Sequence, residues 1–292
     1  MCDPSGIAQF IKGIAEIAQG SSKPSVMPVW CRELLCARDP PTVTCLHPEY
    51  DQPPLDDNKN VFSKPCQASF FFGPKQIHAL RRLLPLHLAQ SSSTFDVLTA
   101  FLWRSHTAAL HYQNPNEEVR LMYVVNARFE PCRSTFNPPL PEGYYGNAFV
   151  CPVVVSTVGM LCGRPLSYAL ELVKKSKKAA TEEYVRSTAD LMAMNGRPAG
   201  SLRRSFVVSD LTKSGLSDVD YGWGKPLYSG IDGIYDIPGA CYYFPHTNSK
   251  GENGKVVLIC LLEEAMKRFE KELNGILHIK DEDEPIKYLS NL

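Results

Sequence analysis

The sequence predicts an α/β (α+β) fold in which helices flank a sheet of mixed strand direction. Short runs rich in β-branched and aromatic residues, such as CQASFFF at 66–72 and KVVLICLL at 255–262, are typical of strands. Longer segments between them carry apolar residues at helical spacing. The two patterns alternate irregularly, which favours a layered mixed sheet over a repeated strand–helix unit.

Charge and hydropathy exclude several classes of function. The 292 residues contain 31 basic and 31 acidic side chains, so there is no overall attraction for nucleic acid or an anionic membrane. No apolar run reaches the ~20 residues that span a bilayer, and the first residues lack the pattern of a secretory signal. The ten cysteines are scattered without a CxxC pair, which indicates reduced thiols. We therefore expect a cytoplasmic protein with no nucleic-acid and no membrane partner.

The first helix is predicted over residues 7–18, with Asp3 or Ser5 as its cap. Its apolar positions follow the i, i+3, i+4 spacing of a helix that packs one face on a core. Residues 31–65 are rich in proline and contain the polar run DDNKN. This composition predicts an extended crossover between two lobes.

The central elements follow from strand-like runs and helix start signals. After the strand at 66–72, Pro74 opens a helix that ends near Pro85. Ser93 and Asp96 resemble a capping box at the start of the next helix, which contains AFLWR. The remaining predictions are strands at 121–129, 148–156, 205–211 and 255–262, helices at about 165–194 and 263–273, and a solvated acidic tail at 281–284.

Several catalytic motifs are absent from the sequence. GWGK at 222–225 lacks the first glycine of a phosphate-binding loop and is followed by proline, and no GxSxG elbow or HExxH pair occurs. We predict no metal site. The seven histidines are interpreted as surface or hydrogen-bonded structural residues. The KKSKK run at 174–178 is interpreted as a solvated helix face, with a nearby anionic ligand as the alternative.

One stretch of the sequence resembles the motif of a particular protein family. DYGWGKP at 220–226 resembles the DFGWG motif of the plant BAHD acyltransferases, in the branch of benzyl alcohol O-benzoyltransferase and related alcohol acyltransferases. Further similar stretches follow in the same order as in that family. They are STFDVLTAFLWR at 93–104, VNARFEP at 125–131, PPLPEGYYGNAF at 138–149 and NSKGENGKVVLICL at 248–261.

The resemblance implies a chloramphenicol-acetyltransferase-like two-lobe fold and an acyl-CoA-dependent O-acyltransferase that forms esters of small alcohols. Acyl-CoA would be a co-substrate, with no cofactor and no metal, and the enzyme would be a monomer. In the family a histidine takes the proton of the alcohol and returns it to the CoA thiolate. The acyl donor, benzoyl or acetyl, and the alcohol are left open.

The resemblance also assigns residues. Asp3 matches the aspartate of the HxxxD signature, whose histidine would precede Met1 by two residues. We therefore expect a chain that lacks most of the first lobe, with 1–30 as its remnant, 31–65 as the crossover and 66–292 as the C-terminal lobe, and that is inactive alone. Arg128 is the expected ion-pair partner of Asp3. The alternative is that Asp3 only caps the first helix.

The remaining assignments concern binding and folding. Ser93 and Thr94 match a region that contacts CoA in the family, and the alternative is that they only cap their helix. The residues Asp220, Tyr221, Gly222, Trp223 and Gly224 form the structural motif, in which the tryptophan is expected to be a packing anchor. The alternative function is a non-catalytic product that binds CoA or a protein partner.

Overall fold

The computed structural model describes residues 2–52, 64–128, 136–231 and 238–277. Parts of the predicted crossover, of VNARFEP and the acidic tail at 281–284 lie outside the described residues. The helices are α1 (Pro4–Ala18), α2 (Pro74–Arg82), α3 (Leu86–Ser91), α4 (Thr94–Ala109), α5 (Val158–Gly163), α6 (Leu166–Ala179), α7 (Glu182–Met194) and α8 (Glu263–Leu277). The strands are β1 (Pro65–Phe72), β2 (Glu118–Tyr123), β3 (Val125–Asn126), β4 (Phe149–Val150), β5 (Val153–Thr157), β6 (Ser205–Asp210), β7 (Ala240–Thr247) and β8 (Asn253–Leu262).

Six strands form one sheet in the order β1-β8-β7-β6-β2-β5. The pairs β1/β8, β8/β7 and β2/β5 are antiparallel, whereas β7/β6 and β6/β2 are parallel. Strands β3 and β4 form a separate antiparallel pair. The predicted mixed sheet with flanking helices is therefore confirmed.

Helix α4 lies at the centre of the core. It packs against α6, α8, α2 and α5, and its Leu98, Leu102 and Trp103 are fully buried. Because neighbours surround this helix, its sequence is apolar on almost every side. The Ser93–Asp96 capping box predicted at its start is present, with Ser93 Oγ accepting from Asp96 N at 3.2 Å and Asp96 Oδ2 accepting from Ser93 N at 2.8 Å.

The prediction for the first helix was wrong about which of its faces is buried. The helix forms and is capped by Asp3, but Ile7 and Phe10 are 41% and 68% exposed. The inward face carries the small residues Gly6, Ala8, Gly13 and Ala15. Small side chains let the helix backbone approach the 143–146 loop closely, so the large apolar side chains point outward within the described part of the chain.

Other differences concern element boundaries. The helix predicted over 165–194 is two helices, α6 and α7, because the chain departs from helical geometry at Ala180. The strand predicted over 148–156 is divided between β4 and β5, with Pro152 between them. Helices α3 and α5 and strand β7 were not predicted. Within its described residues, the strand expected at 121–129 is divided between β2, which begins earlier at Glu118, and β3.

No helix among the described residues combines the length and the apolar character needed to cross a membrane.

Candidate active site and its supporting contacts

Asp3 is almost completely buried, with 5% of its surface exposed, and its carboxylate makes two kinds of contact. Oδ1 accepts a hydrogen bond from Gly6 N at 3.0 Å, which caps α1. Oδ2 lies 2.6 Å from Arg128 Nη1 and also accepts from Ala148 N at 3.0 Å. The cap and the ion pair, which the sequence left as alternatives, are both present on the same side chain.

Arg128 connects this carboxylate to the loop that precedes β4. Its Nε donates to Tyr144 O at 3.1 Å and its Nη2 to Gly146 O at 2.6 Å. Its Nη1 also donates to Asn126 Oδ1 at 3.3 Å. A planar guanidinium with five donors suits this fixed set of acceptors. The pair therefore holds the start of α1 against the 144–148 loop.

Gly6 shows how closely the helix and the loop approach each other. A Cβ atom at this position would lie 2.2 Å from Tyr145 O, which is not compatible with the observed backbone. The side chain of the neighbouring Ser5 accepts a hydrogen bond from Asn126 Nδ2 at 2.9 Å. The α1 start, β3 and the loop before β4 thus form one tightly packed cluster around Asp3.

Ser93 and Thr94 lie at the amino end of α4. Ser93 is engaged in the capping box, as described above. Burial alone raises the pKa of Asp96, but hydrogen bonds from Lys177 and Ser93 outweigh it and hold the pKa below its usual value. Lys177 Nζ lies 2.7 Å from Asp96 Oδ1, and Lys174 Nζ donates to Ser92 Oγ at 3.2 Å. The KKSKK run therefore supplies two ammonium groups to this helix end.

Thr94 also lines a cavity of about 460 Å³. The basic residues of its lining are His78 and Arg81, both from α2. The other lining residues are Phe72, Gly73, Pro74, Ile77, Asn253 and Gly254. Arg81 Nη1 donates to Ala89 O, so the guanidinium is held in position between α2 and α3. The cavity combines a positively charged group with the amino end of a long helix, and both features favour anions.

The DYGWG segment at 220–224 is an exposed turn. Asp220 Oδ1 accepts from Gly222 N at 2.7 Å and Gly224 N at 2.9 Å, and these bonds lower the pKa of Asp220. Both glycines have positive φ, at 100° and 108°, which favours glycine. Trp223 stacks on Tyr221 and is 92% exposed, so among the described residues it is not the packing anchor that the sequence predicted.

The turn is joined to the first helix. Gln19 Nε2, immediately after α1, donates to Asp220 O at 2.6 Å. The outer face of α1 and Trp223 are therefore parts of neighbouring elements, and both present large apolar side chains to solvent in the described part of the chain.

Comparison with known proteins then identifies the family. Residues 1–275 match the Transferase family. The chain belongs to this family. It is the family of the BAHD acyltransferases, which the motifs resembled. The chain is 52% identical over 290 residues to 13-hydroxylupanine O-tigloyltransferase of Lupinus albus, covering 97% of this chain and 62% of that protein.

Further matches support the family and the fold. Benzyl alcohol O-benzoyltransferase of Nicotiana tabacum is 52% identical over 290 residues, which cover 96% of this chain and 60% of that enzyme. The chain thus spans about three fifths of the length of these curated relatives. The structure of vinorine synthase superposes with a TM-score of 0.65 at 19% identity, over 94% of this chain and 60% of that one. That of TRI101 of F. sporotrichioides, complexed with coenzyme A and T-2, gives 0.66 at 20% identity, over 92% and 62% of the two chains.

Sequence reasoning missed two groups of residues. His78 and Arg81 were not singled out, because a cavity between α2, β1 and β8 depends on tertiary packing. The buried set His47, Glu49 and Ser187 was also missed, although the closely spaced polar pair in LHPEY at 46–50 was a signal in the sequence. Among the residues that the structure describes, no group of histidine, cysteine and acidic side chains has the arrangement of a metal site.

Proposed function

We propose that the protein transfers an acyl group from acyl-CoA to the hydroxyl group of a small alcohol. The observation that carries this proposal is the 52% identity, over almost the whole of this chain, to an enzyme named for benzoyl transfer to benzyl alcohol. The TRI101 structure, which was solved as a complex with coenzyme A, supports the same co-substrate. Benzoyl-CoA and benzyl alcohol are therefore the first substrates to test.

The reaction needs a base for the alcohol proton, because a neutral hydroxyl is a weak nucleophile. Two of the described histidines are unsuited to this task. His47 is buried between Glu49 and Ser187, and His106 is buried against Phe206. Burial lowers the pKa of His106 to about 4, so it remains neutral and enclosed. We assign no described residue to the base.

We assign CoA binding to the cavity beside α4. The phosphate groups of CoA carry negative charge, and Arg81 with the amino end of α4 supplies complementary positive charge. The position of Thr94 in the lining supports this assignment, whereas Ser93 is engaged in the capping box. Lys174 adds positive charge near the same helix end, whereas the charge of Lys177 is balanced by Asp96.

We assign a supporting role to Asp3 and Arg128. Their contacts are with each other, with backbone groups and with Asn126, and they fix the start of α1 on the loop before β4. A buried, fully hydrogen-bonded carboxylate of this kind holds geometry and is not available as a base. The expected consequence of its loss is a change in folding.

Calorimetry with CoA and an ester assay test the main proposal. We expect the chain to bind CoA, and Arg81→Gln to weaken the affinity about tenfold through the loss of a charge-assisted contact. Arg82→Gln is the matched control, because Arg82 is the adjacent residue of α2 and does not line the cavity. Ester formation from benzoyl-CoA and benzyl alcohol is measured by gas chromatography, with released CoA detected as free thiol.

The outcomes separate the parts of the proposal. Equal CoA affinity for the two arginine variants would refute the assignment of the cavity. Absence of CoA binding by the wild-type chain would refute the proposed co-substrate site altogether. We expect no ester from this chain alone, because no described residue serves as the base. Ester formation by the chain would establish the activity and refute the expectation that the chain is inactive alone.

A second candidate function is partner binding, and the exposed apolar face of α1 favours it. We propose that this face and Trp223 pack against a polypeptide unit equivalent to the part of the relatives that this chain does not span. Residues 1–30 and the crossover at 31–65 would then lie between that unit and the unit formed by 66–292. Large contiguous apolar surfaces are typical of interfaces.

Co-expression tests this interface. The partner is the part of the Nicotiana tabacum enzyme outside the match, and complex formation is measured by size-exclusion chromatography with light scattering. We expect a complex that Phe10→Asp abolishes, whereas Lys12→Asp on the same helix leaves it intact. Self-association of the chain in place of the complex would refute the proposed occupant.

A further inference from the structure

A buried hydrogen-bond chain joins the 36–50 segment to α7. Ser187 of α7 is completely buried, and its Oγ accepts from Thr44 N and Cys45 N, each at 3.0 Å. The same oxygen lies 2.8 Å from His47 Nε2. The other imidazole nitrogen, Nδ1, lies 2.9 Å from Glu49 Oε1.

The order serine, histidine and glutamate is that of a hydrolase triad, but the environment excludes this chemistry. Ser187 is fully buried, and the side chains of His47 and Glu49 are 1% and 2% exposed. The serine oxygen already accepts two backbone hydrogen bonds, whereas a nucleophile must present its lone pairs to a substrate. The chain of contacts therefore has a structural role.

Counting donors and acceptors fixes the protonation state of the imidazole. A hydroxyl group accepts through two lone pairs and donates one proton. Both lone pairs of Ser187 are taken by Thr44 and Cys45, so its proton must go to Nε2 of His47. Nδ1 of His47 then carries the ring proton and donates it to Glu49, whose carboxylate also accepts from Tyr184 Oη at 2.7 Å.

Protonation of this imidazole would leave one hydrogen-bond donor in the group without an acceptor. Nε2 would become a donor and face an oxygen whose lone pairs are both in use, so the amide of Thr44 or of Cys45 would lose its acceptor. Glu49 acts in the opposite direction at Nδ1, because its carboxylate stabilises a cationic ring. Glu49 thus allows the ring to take up a proton, and Ser187 makes that uptake disruptive.

The other ionisable groups near this imidazole each keep one protonation state between about pH 5 and 8, the range in which histidine titrates. Burial raises the pKa of Tyr50 to about 12 and that of Cys151 to about 11, so both stay neutral. Burial, together with Glu49, also raises the pKa of Tyr184. Arg120, which donates to Pro48 O and Asp51 O, stays positive throughout.

We propose that His47, Glu49 and Ser187 form a pH-sensitive latch that frees the backbone amide of Thr44 or of Cys45 from Ser187 when the imidazole takes up a proton. Thr44 also donates through Oγ1 to Glu183 of α7, so the loosening is confined to the backbone contact. The segment it holds belongs to the predicted crossover at 31–65, so acidification would loosen the attachment of this part of the crossover to α7. A second contact between the 36–50 segment and α7 is the ion pair in which Arg38 Nε lies 2.6 Å from Asp190 Oδ2. We expect this ion pair to persist on acidification.

Hydrogen exchange of the full chain, followed by mass spectrometry, tests the latch. After correction for intrinsic exchange rates, protection of a peptide covering 41–47 is expected to fall about tenfold from about pH 7.5 to about pH 5.5. His47→Gln stays neutral and should remove this pH dependence. Ser187→Ala should leave low protection at both pH values. Peptides from α4 serve as the internal control.

Two results would overturn the proposal: constant protection of the wild-type peptide over this range, or an unchanged pH dependence in His47→Gln. If His47→Gln does not fold, Glu49→Gln replaces it. Loss of the carboxylate makes the cationic ring less favourable, so the fall in protection should move to lower pH. An unmoved transition in Glu49→Gln would equally refute the latch.

Discussion

The Asp3–Arg128 pair gives the sharpest prediction on stability. Both side chains are largely buried, with 3% and 15% of their surface exposed. Removing one partner of a buried pair costs about 3–5 kcal/mol, because the other charge is left uncompensated. Arg128 keeps acceptors on Tyr144, Gly146 and Asn126, so the lower end of that range applies. We expect Asp3→Ala to lower the free energy of unfolding by about 3 kcal/mol.

A second substitution separates the cap from the ion pair. Asp3→Asn retains an oxygen that can accept from Gly6 N but loses the charge beside Arg128. Since an N-cap contributes about 1 kcal/mol, Asp3→Asn should cost about 2 kcal/mol. Urea unfolding followed by circular dichroism measures both values. Asp218→Asn is the control, because its pair with Lys225 is about 70% exposed on both sides and should contribute no measurable stability.

The double substitution Asp3→Asn with Arg128→Met tests whether the two residues act through each other. If they do, the combined loss is smaller than the sum of the single losses. The interpretation would be refuted if Asp3→Ala unfolded at the same urea concentration as the Asp218→Asn control. It would also be refuted if the effects of the two substitutions simply added.

Three further predictions follow from the described contacts. Gly6→Ala places a Cβ against Tyr145 O and should destabilise the protein by about 1–3 kcal/mol in urea unfolding, whereas Gly163→Ala meets no atom within 4 Å and should be nearly neutral. Burial lowers the pKa of His106 to about 4, below the unfolded value of about 6.5. The unfolded state therefore binds more protons in this interval, so stability should fall as pH decreases from about 6.5 to 4, and His106→Gln should flatten this dependence in melting temperatures. Trp223→Ala should change stability by less than about 0.5 kcal/mol, because the ring is exposed in the described structure, and a larger loss would show that the ring is covered in solution.

Most regular elements could be predicted from sequence because their signals are local. The capping box at Ser93 and the apolar runs of β1 and β8 each specify structure within a few residues. Strand β7 was missed because Pro245 within it argues against a strand, although β7 lies inside the sheet between β6 and β8. The break at Ala180 was missed because both flanking helices continue the same polar and apolar spacing.

The orientation of α1 could not be predicted from its hydropathy pattern. An apolar stripe predicts the buried face only when no other constraint decides the packing. Here Asp3, Gly6 and their partners on the 144–148 loop fix the helix by a buried charge and a close backbone approach. These contacts turn the small residues inward and leave Ile7 and Phe10 outward in the described structure.

The cap and the ion pair on Asp3 are consequences of one geometric fact. A carboxylate has two oxygens, and at a helix start one of them can bind the free backbone N–H groups while the other faces away from the helix. In this chain the outward oxygen meets Arg128, which follows β3, and Ala148 N, which precedes β4. The aspartate therefore fixes the start of α1 relative to the loop before β4. An asparagine or a serine could cap the helix but could not supply the negative charge that Arg128 requires.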